Sequence, residues 1–481
     1  MKPFYKLLLT ILVIAPMMGF AQENQQSTSF TLEQCIQYAL ENSINVKNAV
    51  IGEESALAKV RETRGIGLPQ ISASGSIVHN PKLPRFFTTY TGAGGIVDLS
   101  SVPNIEVGDV VAAKNFFQLQ SSGGLSATAN QMIFNGSYLV GLKASKTYKD
   151  LAAKTTNQTK EQVIQQVTKA YYNVLINHER LALFTNNINR VDSLLKNTKA
   201  LNENGFAESI DVDRIQVTLN NLIAERDKFA NLNDLGLELL KFQMNYPMEQ
   251  TINVVGDIQT VEVNTNTDTY SQNWDIRTRP DYQVLETNRR LQELNVKNQY
   301  AAGMPTLNAF ATYGYQTQSP NIGGLFKTNS RIHDEGGVGP DKWYDYSQVG
   351  LSLNVPIFSG LQRHYRLQQE KLSLLKIENS FISLKNGVDL EIKQSTISFK
   401  NALKSLVAQK ANQDLAGKVA HITKIKYEQG VGSNLEVVDA ENSLRQAQTN
   451  YYSALFDAMV AKVDLDKAYG KLLPQVLTDN N

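Results

Sequence analysis

The chain repeats itself at a distance that few folds allow. Gly205-Phe-Ala-Glu-Ser-Ile-Asp-Val212 returns as Gly430-Val-Gly-Ser-Asn-Leu-Glu-Val437, Ile133-Phe-Asn-Gly136 as Ile357-Phe-Ser-Gly360, and Leu68-Pro69 as Met304-Pro305. Gly205 follows Gly136 by 69 residues, and Gly430 follows Gly360 by 70. Pro69 follows Asn45, and Pro305 follows Asp281, by the same 24. A period this long must be settled before any fold is assigned. It makes two fused structural repeats of 481 residues that length alone would divide into several domains.

Each copy contains a strand pattern and two helix patterns. Alternation of period two marks Ile71–Val78, Leu125–Phe134, Leu307–Tyr315 and Val349–Ile357. In the last, Val349, Leu351, Leu353 and Val355 oppose Gly350, Ser352 and Asn354. Any one of these fits a half-buried strand of a soluble sheet. Four together, in an exported chain with long helices, fit strands of a membrane barrel. The expected strands are 70–79, 118–134, 306–316 and 347–357. Loops at 79–117 and 316–346 join each pair. Phe86, Phe87, Tyr90, Trp343, Tyr344 and Tyr346 in them suit either a membrane interface or ordinary loop packing.

Between the strands the period becomes helical, over 31–66, 137–204, 209–245, 280–303, 361–429 and 433–470. Thr31 with Gln34 resembles a capping box, and Pro280 suits a first helical position. Val163, Val167, Ala170, Val174, Leu181, Phe184, Ile188, Val191 and Leu195 form a seam with steps of four and three, a coiled-coil pattern. About 65 such residues span roughly 100 Å. In the second copy Phe399, Leu403 and Leu406 give way to Leu415, Val419 and Ile422 in a shifted phase. The returning seam Val437, Ala440, Leu444, Ala447, Tyr451, Ala454, Ala458, Ala461, Leu465 is rich in alanine, which allows close helix approach. Its first-copy counterpart, Val212, Ile215, Leu219 and Leu222, is bulkier.

Residues 1–21 read as a signal peptide: Lys2 and Lys6, a mostly apolar stretch, then Gly19-Phe20-Ala21. A membrane anchor fits less well, because a polar Gln/Asn/Ser stretch follows at once. Removing 1–21 moves the net charge from +1 to −1, which gives no reason to expect nucleic acid. The single cysteine, Cys35, can form no intrachain disulfide. No later apolar run is long enough for a spanning helix, so a membrane crossing would need a closed β-barrel. The organisation is then signal peptide 1–21, first repeat 22–249, linker 250–275, second repeat 276–475 and tail 476–481.

No catalytic constellation is present. His79, His178, His333, His364 and His421 lack metal-ligand spacing, and no nucleophile elbow or phosphate-cradling glycine loop occurs. No cofactor or metal is expected, and no enzymatic activity. The informative polar residues follow the helix turns. Glu436 and Asp439 stand three apart, on one helix face. Around a shared axis each would form an acidic ring of the kind that favours cations. Acids in a first turn also simply stabilise the positive end of the helix dipole. Asp211 and Asp213 hold similar places in the first copy.

The paired set of Leu-Pro strand entry, Ile-Phe-x-Gly strand exit, long helix and Gly-marked turn resembles the TolC-like outer membrane efflux proteins over essentially the whole mature chain. The resemblance implies a mixed membrane fold. Three subunits, four strands each, would form a twelve-stranded β-barrel in the outer membrane. A long α-helical coiled-coil barrel would continue it into the periplasm. It implies a passive exit duct of a tripartite efflux or type I secretion system. Its partners would be a second and third copy of the chain, a periplasmic adaptor, an inner-membrane pump of the RND or ABC type, and outer-membrane lipid. Carried over by position, Glu436 and Asp439 fall on the constriction rings and Tyr427 on the gate's aromatic. Asp211 falls on an acid that pairs with an arginine, but Gly432 occupies the arginine's place. Gly205, Phe206, Gly430 and Val431 match the tips that meet the adaptor. The main alternative is a trimeric structural or adhesive coiled-coil protein without transport activity. A periplasmic adaptor is a lesser one, since it would carry one hairpin and lipoyl-like strands.

Overall fold

The computed structural model describes residues 28–92, 103–115, 117–256, 258, 274–326 and 343–473. The expected signal peptide, most of the linker and the tail 476–481 lie outside them. The chain forms β1 (Thr28–Phe30), α1 (Leu32–Asn42), α2 (Ile44–Gly65), β2 (Gln70–His79), β3 (Phe86–Thr89), β4 (Val110–Ala113), β5 (Ser121–Asn135), α3 (Gly136–Glu203), α4 (Ser209–Met244), β6 (Ile252–Val254), α5 (Pro280–Ala301), β7 (Thr306–Ser319), β8 (Tyr344–Asn354), α6 (Gln362–Glu428) and α7 (Asn434–Ala468). The order helix, strand, strand, long helix, returning helix thus occurs twice. These elements gather into two compact units, one from Met1–Lys47, Thr159–Trp274 and Asp389–Asn481 (as far as described), the other from Asn48–Gln158 and Asp275–Val388.

The second unit holds a four-stranded antiparallel sheet in the order β2-β5-β7-β8. Its register sorts side chains by chemistry. Ile71, Ala129, Ala311 and Val349 share a row, as do Ala73, Ala127, Tyr313 and Ser347, and Leu351 pairs with Ala309. This face is mainly apolar across all four strands, with Ser347 and Gln131, the partner of Ala309 on β5, as polar members of these rows. Ser72, Thr128, Thr312 and Gln348 lie on the other face. There Ser74 bonds Ser126 at 3.1 Å and Thr128 bonds Thr312 at 3.0 Å. The apolar face is open to its surroundings, with Ile71 78% and Val349 81% exposed. β2 and β8 are the sheet's edges.

The strand expected over 347–357 lies instead at Tyr344–Asn354. Asn354 pairs with Thr306, where β7 begins, so nothing remains for Val355 to pair with. Pro356, without an N–H, ends the ladder as well. The helix expected over 31–66 is two helices broken at Ser43, whose ψ is 131°. Asn42 and Ser43 compete for local backbone bonds and are poor helix interiors. Two short pairings carry no periodic signal: β3 with β4 inside the first long loop, and β1 with β6, parallel.

The first unit is held by helices. Thr31 makes the capping box with Gln34. From α3, Val167 and Val174 bury against Cys35 and Ala39 of α1, Leu240 and Met244 of α4, and Met459 of α7. Further along, Phe184 stacks on Phe229 at 5.1 Å beside Ile215, Leu219, Leu222 and Val437. Seam positions of α3 and α7 contribute to this core beside residues of α1 and α4. The shifted seam of α6 behaves differently. Leu415 (62%), Val419 (45%) and Ile422 (53%) are exposed, and Ala420, with Ala416, faces Ala440 and Leu444 instead. Alanines and Leu444 make this contact, and the three large apolar residues of the α6 seam are left off it.

Candidate functional site

Both long helices of the first unit end by the same device. Gly205 (φ +79°) closes α3, where Phe206 N–H donates to Leu201 O at 2.8 Å and Gly205 N–H to Asn202 O at 2.9 Å. Gly430 (φ +73°) closes α6, where Val431 N–H donates to Lys426 O and Gly430 N–H to Tyr427 O, both at 3.0 Å. These are Schellman turns, and glycine takes the left-handed position without the cost of a Cβ, about 1 kcal/mol. The turns leave Phe206 80% and Val431 78% exposed at the tips.

The returning helices start differently. Ser433 caps α7, its Oγ accepting from Glu436 N–H at 3.2 Å, whereas Glu208 caps α4 with no side-chain bond. α7 buries Val437, Val438 and Ala440, and its opposite face carries Glu436 and Asp439, both exposed. The two carboxylates therefore share an open face backed by an apolar one.

Tyr427 is half-buried, and its hydroxyl bonds Thr198 Oγ1 on α3 at 3.0 Å. The Asp211 carboxylate reaches no residue of the α6–α7 turn and pairs within its own helix with Arg214, at 3.5 Å. The backbone oxygen of Asp211 accepts from Asn434 Nδ2 at 3.1 Å. A Cβ at Gly432 would lie 3.0 Å from Lys426 Cβ and 3.0 Å from the Tyr427 nitrogen. This close passage explains the glycine. Deeper in, Arg190 Nε and Nη2 each lie 2.9 Å from Glu441 Oε2, and Arg190 also holds Asn187 at 2.8 Å. A groove of about 1040 Å³ lies among these elements, lined by Asn197, Leu201, Phe206, Asp211, Tyr427 and Asn434 among others.

Thr198, Asn434, Arg214 and the Arg190–Glu441 pair escape a reading by motif. Thr198 alone has a visible signal. It follows Val191 and Leu195 at the seam's next step, a buried polar residue where an apolar one is due. No group of three His, Cys, Asp or Glu able to hold a metal occurs among the described residues.

The family model described as outer membrane efflux protein matches residues 35–232 and 276–471. The chain belongs to this family. Two curated relatives from Pseudomonas putida, an "Antibiotic efflux pump outer membrane protein ArpC" and a "Toluene efflux pump outer membrane protein TtgC", are each 23% identical to it. Each alignment spans 91% of this chain and 82% of the relative. Among solved structures, the Vibrio cholerae outer membrane protein VceC is similar with a TM-score of 0.66 at 15% identity, over 91% of this chain and 96% of that one. The open state of the Neisseria gonorrhoeae MtrE outer membrane channel is similar with a TM-score of 0.67 at 18% identity, over 92% and 89%. This outer membrane efflux protein therefore shares the channel fold as well as the family pattern.

Proposed function

We propose that three copies of this outer membrane efflux protein form the exit duct of a tripartite efflux or type I secretion system. The duct passes substrates from an inner-membrane pump, through a periplasmic adaptor, to the outside. The sheet carries this reading: one face apolar, the other polar, both edges open. In a bilayer every backbone N–H and C=O needs a partner, and a strand edge finds one only by closing a ring. Four strands per copy make twelve in three. The apolar face then meets lipid and the serine- and threonine-rich face meets water. The exposed stripe Leu415, Val419 and Ile422 on α6 is apolar surface for a neighbouring copy to cover.

The helical part extends into the periplasm, and the α6–α7 hairpin narrows its entrance. Glu436 and Asp439 repeat around the threefold axis as two acidic rings, which attract cations and repel anions. Thr198–Tyr427 and Asn434–Asp211 tie this hairpin to its neighbour, in place of a salt bridge at residue 432. Purified protein in a planar bilayer should conduct with a preference for cations. The double variant Glu436→Ala, Asp439→Ala should lose most of that preference, read as a reversal potential moving toward zero. An unchanged potential removes both residues from the pore. An adhesive or structural trimer would not conduct at all.

The tips, Gly205-Phe206 and Gly430-Val431, meet the adaptor. Phe206→Asp with Val431→Asp should abolish crosslinking to it and stop efflux, while single-channel conductance stays as it was. Retained crosslinking and efflux would end the docking role.

A further inference from the structure

We infer that Phe358 and Ile357 of one copy clasp Ile66 and Leu68 of the next, sealing the joint between copies below the membrane strands. This rests on the three-copy ring proposed above. All four residues belong to the second unit, and all are exposed in the single chain: Phe358 81%, Ile357 95%, Ile66 51% and Leu68 63%. They sit at opposite edges of the sheet, two just before β2 and two just after β8.

The register says that the two segments meet. Gln70, Asn130, Phe310 and Gly350 form one hydrogen-bonded row. Strands tilted by about 40° in a closed barrel shift each neighbour by roughly 1.2 residues, hence roughly five over the four strands of one copy. Side chains alternate with period two, so only an even shift, ~4 or ~6, keeps Val349, Leu351 and Leu353 on the apolar face beside Ile71 and Ala73. In one sense of the shift, β8 would find only the first residues of the next β2. In the other it finds most of them, and Gly350 falls opposite Ser74 or Ser76. Asn354, the last residue of β8, then falls opposite Gln70 for a shift of ~4 and opposite Ser72 for a shift of ~6, which brings the segment after β8 alongside the turn Ile66–Leu68, where Ile66 N–H donates to Glu62 O and Leu68 N–H to Gly65 O.

The local backbone agrees. Pro69 and Pro356 offer no N–H, so the ladder stops beside them and side chains carry the contact below. Immediately after, Gly360 (φ +58°) and Leu361 (φ +66°) turn the chain into α6. A leucine in the left-handed region is strained and persists where its surroundings hold it. In the first copy, β5 runs into α3 with no such turn.

The test is disulfide trapping in outer-membrane vesicles oxidised with copper phenanthroline. Native Cys35 stays silent: it is buried, and burial, then the charge of Glu33, pushes its thiol up to about 12. Phe358→Cys is combined with Ile66→Cys or with Leu68→Cys. One combination should yield covalent dimers and trimers, and neither single substitution should. Ser352→Cys reports the strand register, linking to Ser72→Cys for the smaller shift and to Ser74→Cys for the larger. Ser352 links without any Phe358 link overturn the clasp and leave the ring standing. A Phe358 link without either Ser352 link overturns the argument from shift. No links in a protein that elutes as a monomer overturn the ring itself. Independently of trapping, Phe358→Ala should lower the temperature at which detergent-resistant trimers separate, and Phe358→Leu should restore most of it. Equal melting in both variants overturns the clasp.

Discussion

Leu351→Arg should abolish recovery of the protein from the outer membrane. Leu351 lies in the middle of β8, is 71% exposed and pairs with Ala309 on the apolar face. An arginine on the lipid side near mid-bilayer costs about 2–4 kcal/mol. In the proposed three-copy barrel that becomes roughly 6–12 kcal/mol per assembly, comparable with the whole stability of a domain. Ser352→Arg, one residue on, places the same charge on the polar face. It should insert at wild-type level and change only conductance and ion preference. The comparison is read from the outer-membrane fraction on a gel, as the amount of detergent-resistant trimer. Normal insertion of Leu351→Arg would show that the apolar face does not meet lipid, and the barrel reading would fall with it.

The alternation behind that prediction was already plain in Val349–Val355, because a strand with one greasy side writes a period of two directly into the chain. Helix seams were legible for the same reason. Val163, Val167 and Val174 on α3, and Val437, Leu444 and Leu465 on α7, lie in the core, where steps of three and four put them. Leu415, Val419 and Ile422 follow the same rule but face outward, since spacing identifies a stripe and not what covers it. The strand over 347–357 ran three residues too far because Val355 continues the alternation past Thr306, where β7 begins and the pairing partner runs out. The short strands β1, β3, β4 and β6, of three or four residues, are below the length at which any period can be recognised. At the candidate gate, glycines and acids were legible as types in a pattern. Their partners were not. Thr198 with Tyr427 and Arg190 with Glu441 are separated by more than two hundred residues and joined only by the packing of α3 against the second helical hairpin.

Arg190→Ala should release that hairpin. Glu441 is nearly buried, its side chain 8% exposed, and both nitrogens of the Arg190 fork turn to one of its oxygens. Removing one partner of a buried pair leaves a carboxylate in a site built for a salt bridge. That costs about 3 kcal/mol, the low end of the range, because the Arg190 side chain is 32% exposed and water screens part of the pair. The strain is relieved most cheaply by moving α7 off α3, which carries Glu441 to solvent. The same movement pulls at the Thr198–Tyr427 and Asn434–Asp211 bonds, neither of which involves a charged partner group. A bias of about 3 kcal/mol changes a two-state ratio roughly 150-fold, enough to turn a pore closed 99 times in 100 into one mostly open. Single-channel recordings of Arg190→Ala should therefore show long high-conductance dwells where the wild-type protein shows brief ones. Arg190→Ala combined with Glu441→Ala removes the stranded charge along with the tie, so its dwells should fall between the two. If Arg190→Ala melts earlier but conducts like the wild type, the pair serves stability alone. If the double variant is as open as the single one, the buried carboxylate is not what drives the hairpin apart.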